Sequence, residues 1–147
     1  STNVSTEAVR AFEDQKAVPA GKMLAVYNGI SLGQFRKSVS GGSQIRSELG
    51  LAEDKKLIVA VGRLSEPKDY PNLLNALARV GNGISDWHLA VAGGGPLRNN
   101  LASLTQKLGL GDRVSFLGVR NDIPDLLSAA DLFVLSSAMV VGEAMGC

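Results

Sequence analysis

From Leu57 onward the chain repeats one pattern: a short apolar run, a polar or glycine-rich loop, then a stretch with helical spacing. The first run, Leu57 to Val61, holds no polar residue and is bounded by Gly62. That is what a strand buried on both faces of a parallel sheet requires. A helix is expected from about Tyr70 to Val80, with Leu73, Leu74 and Leu77 on one face. His88–Ala92 reads as the next strand. Pro96 to Leu108 reads as the next helix, because Leu97, Leu101, Leu104 and Leu108 share one stripe. Strand Val114–Leu117 leads to Ile123–Ala130, helical from Pro124; strand Leu132–Leu135 follows, and Gly142–Met145 opens another helical segment. Strands alternating with helices at this interval specify an α/β fold, a doubly wound parallel sheet with right-handed crossovers.

The first part of the chain is less regular. Helical spacing runs from about Thr6 to Lys16, Pro19 and Gly21 break it, and Lys22–Tyr27 is strand-like before the turn at Asn28-Gly29. Ser38–Ser43, with Gly41 and Gly42 at its centre, reads as a loop or linker. Gln44–Leu49 then forms a short helical piece stopped at Gly50.

Bulk properties narrow the function classes. A chain of 147 residues suffices for one domain. Its formal net charge of +1 gives no electrostatic footprint for nucleic acid, and no run of Lys or Arg suggests a polybasic membrane anchor. Cys147 is the one cysteine, so no intrachain disulfide forms and a reducing, cytoplasmic compartment is expected. One Cys and His88 cannot assemble a metal cluster, so no metal site is expected. The apolar runs are too short to span a bilayer. The first residues do not resemble a secretion signal and lack an initiator Met, so the chain is expected to start inside something longer.

Each strand empties into a loop of one character: Gly62-Arg63, Gly93-Gly94-Gly95, Gly118-Val119-Arg120-Asn121, and Ser136-Ser137. In an open α/β sheet, ligands bind just beyond the carboxyl ends of the strands, so these loops form the candidate rim. Arg63 offers a planar fork of donors and Lys68 a mobile point charge, a combination suited to a diphosphate. The plainer alternative is a surface Arg and a Lys paired with Glu66 or Asp69.

Gly93-Gly94-Gly95 is not a dinucleotide fingerprint, since a third glycine would have to stand at Arg98. The glycines are expected to make a tight turn, with Pro96 as the first helical residue. Val119, Arg120 and Asn121 can present backbone to a nucleobase edge, or can simply turn the chain into the next helix. Glu143 can accept two hydrogen bonds from a ribose diol, or complement a helix dipole. Asp131 reads as a helix-to-strand connector, His88 as structural, and Cys147 has no base partner that would make it a nucleophile.

Five motifs occur in one order: Val61-Gly-Arg63 with Lys68; Ala92-Gly-Gly-Gly-Pro-Leu-Arg98; Val114 to Gly118; Ala130-Asp-Leu-Phe-Val-Leu-Ser136; and Glu143-Ala-Met. That order resembles the nucleotide-sugar-binding half of the retaining GT-B glycosyltransferases. Asn28-Gly29-Ile30 with Phe35 is similar to the family's interdomain junction, with Ser31 in place of the usual Asp. The resemblance covers nearly the whole chain. It implies a Rossmann-like donor-binding domain incomplete at both ends: residues 1–28 as the tail of an acceptor-binding domain and start of the linker, residues 29–147 as a partial donor domain.

The resemblance also implies roles. Gly62, Arg63 and Lys68 would grip the donor diphosphate, Val119, Arg120 and Asn121 would surround the base, and Glu143 would bind the ribose as the second acid of a paired-glutamate motif. The first acid departs from the pattern, because its position falls on Leu135. Ala138 runs directly into Met139, so the loop that would carry that acid is either lost or left out.

The implied activity is hexosyl transfer from a UDP- or GDP-sugar to an acceptor hydroxyl with retention, without a metal or other cofactor. The implied partners are the nucleotide sugar, an acceptor glycan, lipid or small molecule, and the missing N-terminal domain. No nucleic acid is implied. The setting would be polysaccharide or glycolipid synthesis in the cytoplasm, with peripheral association of the longer enzyme at the inner face of the membrane. The fragment alone is expected not to turn over. Three alternatives stay open: a nucleotide-binding module or degenerate paralogue without transferase activity; an inverting GT-B enzyme or epimerase; and a dinucleotide oxidoreductase, for which the fingerprint is absent.

Overall fold

The structure, a computed structural model, describes residues 2–3, 10, 14–15, 24–25, 38–80, 83 and 86–136. It divides into two compact units, Ser1–Phe35 and Arg36–Cys147. In the first, β1 (Thr2–Asn3) pairs in parallel with β2 (Leu24–Ala25), inside the strand expected over Lys22–Tyr27. Arg10 and Asp14 are helical, within the helix expected there. The Asn28-Gly29 turn, Ser31 and Phe35 lie outside the described residues.

The second unit runs α1 (Val39–Glu48), β3 (Lys56–Val61), α2 (Tyr70–Val80), β4 (Trp87–Ala92), α3 (Arg98–Lys107), β5 (Val114–Gly118), α4 (Ile123–Ala129) and β6 (Leu132–Phe133). The sheet order is β5-β4-β3-β6, every pairing parallel. Successive strands step outward from β3 to β5, then the chain returns to the other side of β3. The order therefore reverses between β3 and β6, and a reversal of that kind opens a crevice at the carboxyl ends of the two strands.

Alternation along β3 explains the two-sided core. Leu57 and Val59 face α1 and α4, packing with Ile45, Ala90, Ala92, Leu126 and Ala129. Ile58 and Ala60 face α2 and α3, packing with Leu73, Leu74, Leu89, Val91 and Leu101. Leu57, Val59 and Leu89 are fully buried, each worth about 1.5–3 kcal/mol relative to exposure. A bulge between Val91 and Ala92 skips Leu117, so Ala92 pairs with Gly118 and the end of β5 is re-aimed.

Two expectations need correction. Ser38–Ser43 is not a loop: helix α1 starts at Val39, and Ser38 caps it by accepting the Gly41 N–H at 3.0 Å. The glycines serve packing against α4. A Cβ on Gly42 would stand 3.1 Å from backbone atoms of Ser128 and Ala129, so a side chain there would push the two helices slightly apart. Helix α3 begins at Arg98, two residues after Pro96, because Pro96 and Leu97 form a turn in which the Leu97 N–H donates to Leu64 O at 3.1 Å.

Strand β6 is shorter than Leu132–Leu135, although the Val134 N–H still donates to Val59 O at 2.9 Å. Its residues Leu132 and Phe133 are exposed, as is Leu135 just beyond it. Asp131 sets its register: its N–H donates to Leu57 O, and its carboxylate accepts the Leu57 N–H at 2.8 Å and the Arg46 guanidinium at 3.2 Å. The Leu57 bond, then Arg46 and Lys56, hold the Asp131 carboxyl below its ordinary range against the opposing effect of burial. This fits the connector reading of Asp131. Helix Gly142–Met145 lies outside the described residues. Among the described residues no helix is long and apolar enough to cross a membrane.

Candidate functional site

Because every strand runs the same way, the loops after β3, β4 and β5 and the chain after β6 gather on one edge of the sheet. Backbone bonds knit them together. The Gly62 N–H donates to Ala92 O and the Leu64 N–H to Gly94 O, each at 2.9 Å, while the Gly93 N–H donates to Gly118 O at 2.7 Å. Gly93 has a φ of 147°, a region that favours glycine, and a Cβ there would fall 1.9 Å from Gly62 O. The expected tight turn at the glycines is thus a close crossing of two rim loops.

Leu64 is fully buried and fastens the loop after β3, leaving Arg63 exposed just before it. Glu66–Lys68 forms a 3-10 turn that ends at Asp69 in the left-handed region, φ 45°, and α2 starts at the next residue. Lys68 is half-buried, and its aliphatic stem passes over Gly62, its Cε 3.8 Å from where a Cβ would stand there. No ion pair to Glu66 or Asp69 forms, so the surface-pair alternative does not hold. Among the described residues Arg63 and Lys68 have no acidic partner, and both stand beside the β3/β6 crevice.

Two supports here were not anticipated. The Tyr70 hydroxyl donates to Gly62 O at 3.3 Å, and burial raises its pKa, keeping it a donor. The Ser136 hydroxyl donates to Lys68 O, tying the end of β6 to the 3-10 turn. No local pattern in the sequence marked either contact.

Across the rim, Val119 is 81% exposed, with Cγ2 3.2 Å from the place of a Cβ on Gly94, and Asn121 is exposed. Arg120 differs from its neighbours. Its Nε and Nη2 donate to the two Asp122 carboxylate oxygens at 2.8 and 2.6 Å. Its Nη1 and Nη2 donate to Glu48, on the last turn of α1, at 2.6 and 3.0 Å. The hydrogen bonds to Arg120 lower the Asp122 and Glu48 carboxyls, while those carboxylates push the guanidinium pKa up. The side chain of Arg120 is therefore engaged within the protein, and its loop presents the exposed Val119 and Asn121 together with the backbone between them. Nothing in the local sequence could reveal a partner as remote as Glu48.

His88 is buried, and its Nε2 lies 2.9 Å from Ser115 Oγ. Burial, then Lys55, lowers its pKa and keeps the ring neutral, which suits a structural residue. Glu143, Ser137 and the Ala138–Met139 junction lie outside the described residues. Among the described residues no group of three or more His, Cys, Asp or Glu could hold a metal ion.

The family profile described as "Glycosyl transferases group 1" matches residues 43–147. The chain belongs to this family. It is 32% identical over 126 residues to an uncharacterized glycosyltransferase of Methanocaldococcus jannaschii, covering 81% of this chain and 31% of that protein. It is 34% identical over 119 residues to the Escherichia coli UDP-Gal:alpha-D-GlcNAc-diphosphoundecaprenol alpha-1,3-galactosyltransferase, covering 79% of this chain and 31% of the enzyme. Anabaena HepE, solved with UDP and glucose, superposes with a TM-score of 0.80 at 30% identity, covering 99% of this chain and 41% of HepE. The group 1 chain thus spans about a third of the length of these curated relatives. Its parallel α/β architecture is that of the GT-B glycosyltransferase structures.

Proposed function

We propose that this group 1 chain is the donor-binding part of a retaining glycosyltransferase that moves a hexose from a UDP- or GDP-sugar to an acceptor hydroxyl. The observation that carries the reading is the pair of cations, Arg63 and Lys68, without an acidic partner among the described residues and held beside the strand-order reversal. An anion in that crevice meets two charges and the N-terminal end of α2, which favours negative charge through its unsatisfied N–H groups. Gly62 leaves room for the Lys68 stem. Val119, Asn121 and the Arg120 backbone would border the base, and Glu143 would take the ribose.

The chemistry asked of these residues is electrostatic. As the glycosidic bond to the donor breaks, negative charge builds on the departing diphosphate. Arg63 and Lys68, positioned before the reaction, stabilise that charge without reorganising. No metal cofactor is assigned a part. UDP is the first nucleotide to test, because the HepE structures hold UDP and UDP-glucose. Residues 1–28 are assigned to the acceptor-side domain and linker, and 29–147 to the donor domain. The acceptor site and any catalytic contact from the other domain lie elsewhere in a longer enzyme, so the chain alone should not turn over. That enzyme would work in the cytoplasm, at the inner face of the membrane where its acceptor is a lipid.

Calorimetric titration of UDP and GDP into the wild type, Arg63→Ala and Lys68→Ala tests the assignment. Each substitution removes a charge-assisted bond and should weaken the binding nucleotide by about tenfold or more, leaving the free nucleoside nearly unaffected. Equal affinity in all three proteins would overturn it.

A further inference from the structure

The side chain of Arg120 makes four bonds from three nitrogens to two carboxylates on different elements, yet it sits in a rim loop otherwise shaped to meet a ligand. Asp122 immediately precedes α4, and Glu48, 72 residues before Arg120, closes α1. Exposed ion pairs contribute little, but bidentate and networked ones hold geometry, and the Arg120 side chain is only 16% exposed. The clasp lies one residue from Val119 and one from Asn121. Its effect is to fix the backbone between them, with Val119 turned outward over the bare Gly94.

We propose that Arg120 is a positioning residue, and that Glu48, remote from the rim, sets base affinity by clamping Val119–Asn121 against α1 through Arg120. The inference rests on the donor-site reading above and adds a control point to it. A loop pinned from outside the site pays less ordering entropy when a base docks. Without Glu48, Arg120 keeps Asp122, which lies in the same loop, but loses its tie to the rest of the fold. The loop then loosens locally while the Arg63–Lys68 side of the rim stays as it was.

The test measures UDP, GDP and inorganic pyrophosphate binding to the full 147-residue chain, alongside amide hydrogen exchange at Val119 and Asn121. Glu48→Gln and Glu48→Ala should speed exchange at both amides and weaken the binding nucleotide by about fivefold to tenfold, with pyrophosphate within about twofold of wild type. In an Arg120→Ala background, Glu48→Ala should add nothing further, because the two act through one contact. Arg63→Ala should weaken nucleotide and pyrophosphate together. Faster exchange with unchanged nucleotide affinity would overturn the inference, as would equal losses for nucleotide and pyrophosphate in the Glu48 variants. A wild type that binds pyrophosphate but neither nucleotide would overturn the donor reading, and this inference with it.

Discussion

Two arginines stand on the same rim and meet opposite fates. Arg63, after β3, is exposed and has no acidic partner among the described residues; Arg120, after β5, is half-buried and held between Asp122 and Glu48. Both looked like ligand contacts from their place after a strand. The difference teaches that position at a strand end makes a cation available, while the carboxylates folded next to it decide whether it stays so. One loop leaves its charge exposed; the other ties its charge into the fold.

The largest blow to this comparison is Gly93→Ala. The two loops are joined through the Gly93 crossing, and a Cβ there meets Gly62 O at 1.9 Å. A loss of roughly 3 kcal/mol or more is expected in urea unfolding, because backbone atoms cannot yield as a flexible side chain can. A variant as stable as wild type would show that the loops are not coupled there.

Next come the paired readouts on the two arginines. Arg63→Ala should cost about tenfold or more in nucleotide affinity yet change unfolding free energy by no more than about 0.5 kcal/mol. Arg120→Ala should cost about 1 kcal/mol in stability, since a bidentate network exceeds the usual surface pair. Reversed outcomes in calorimetry and denaturation would exchange the roles of the two residues.

Acid gives the smallest effect and sharpens the same contrast. Asp122 and Glu48 titrate below their ordinary range when folded, so their contribution is full above the unfolded carboxylate values, about 4. It is lost as pH falls through the lower folded values. Arg120→Ala should remove part of that acid sensitivity, and Arg63→Ala should not. His88 adds a separate slope: the folded ring resists protonation, so stability falls once pH drops below its unfolded value of about 6.5. His88→Gln should flatten the change in the urea midpoint between about pH 7 and pH 5.

Much of the fold was readable along the chain. The helix expected from Tyr70 to Val80 has those bounds in the structure, and β3 and β4 each begin one residue earlier than their apolar runs suggested. Both are local facts: Leu73, Leu74 and Leu77 mark a helical stripe whatever it packs on, and an unbroken apolar run is a buried strand in any parallel sheet. The second half of α1 was legible as the helical piece over Gln44–Leu49, but its first turn was not: Gly41 and Gly42 signal a loop to any local reading, while the close approach of Gly42 to Ser128 and Ala129 involves residues far away in sequence.

The amino-acid sequence by itself determined the alternation of strands and helices, the parallel sheet this demands, and the placing of Arg63, Lys68 and the glycines after strands. Those features follow from periodicity and backbone preference, which act over a few residues. Only the tertiary structure decided that β6 returns beside β3, that Ser136 steadies Lys68, and that Glu48 reaches Arg120. Each of these joins groups distant in sequence, and a contact of that kind exists only once the core has closed and brought its two halves together.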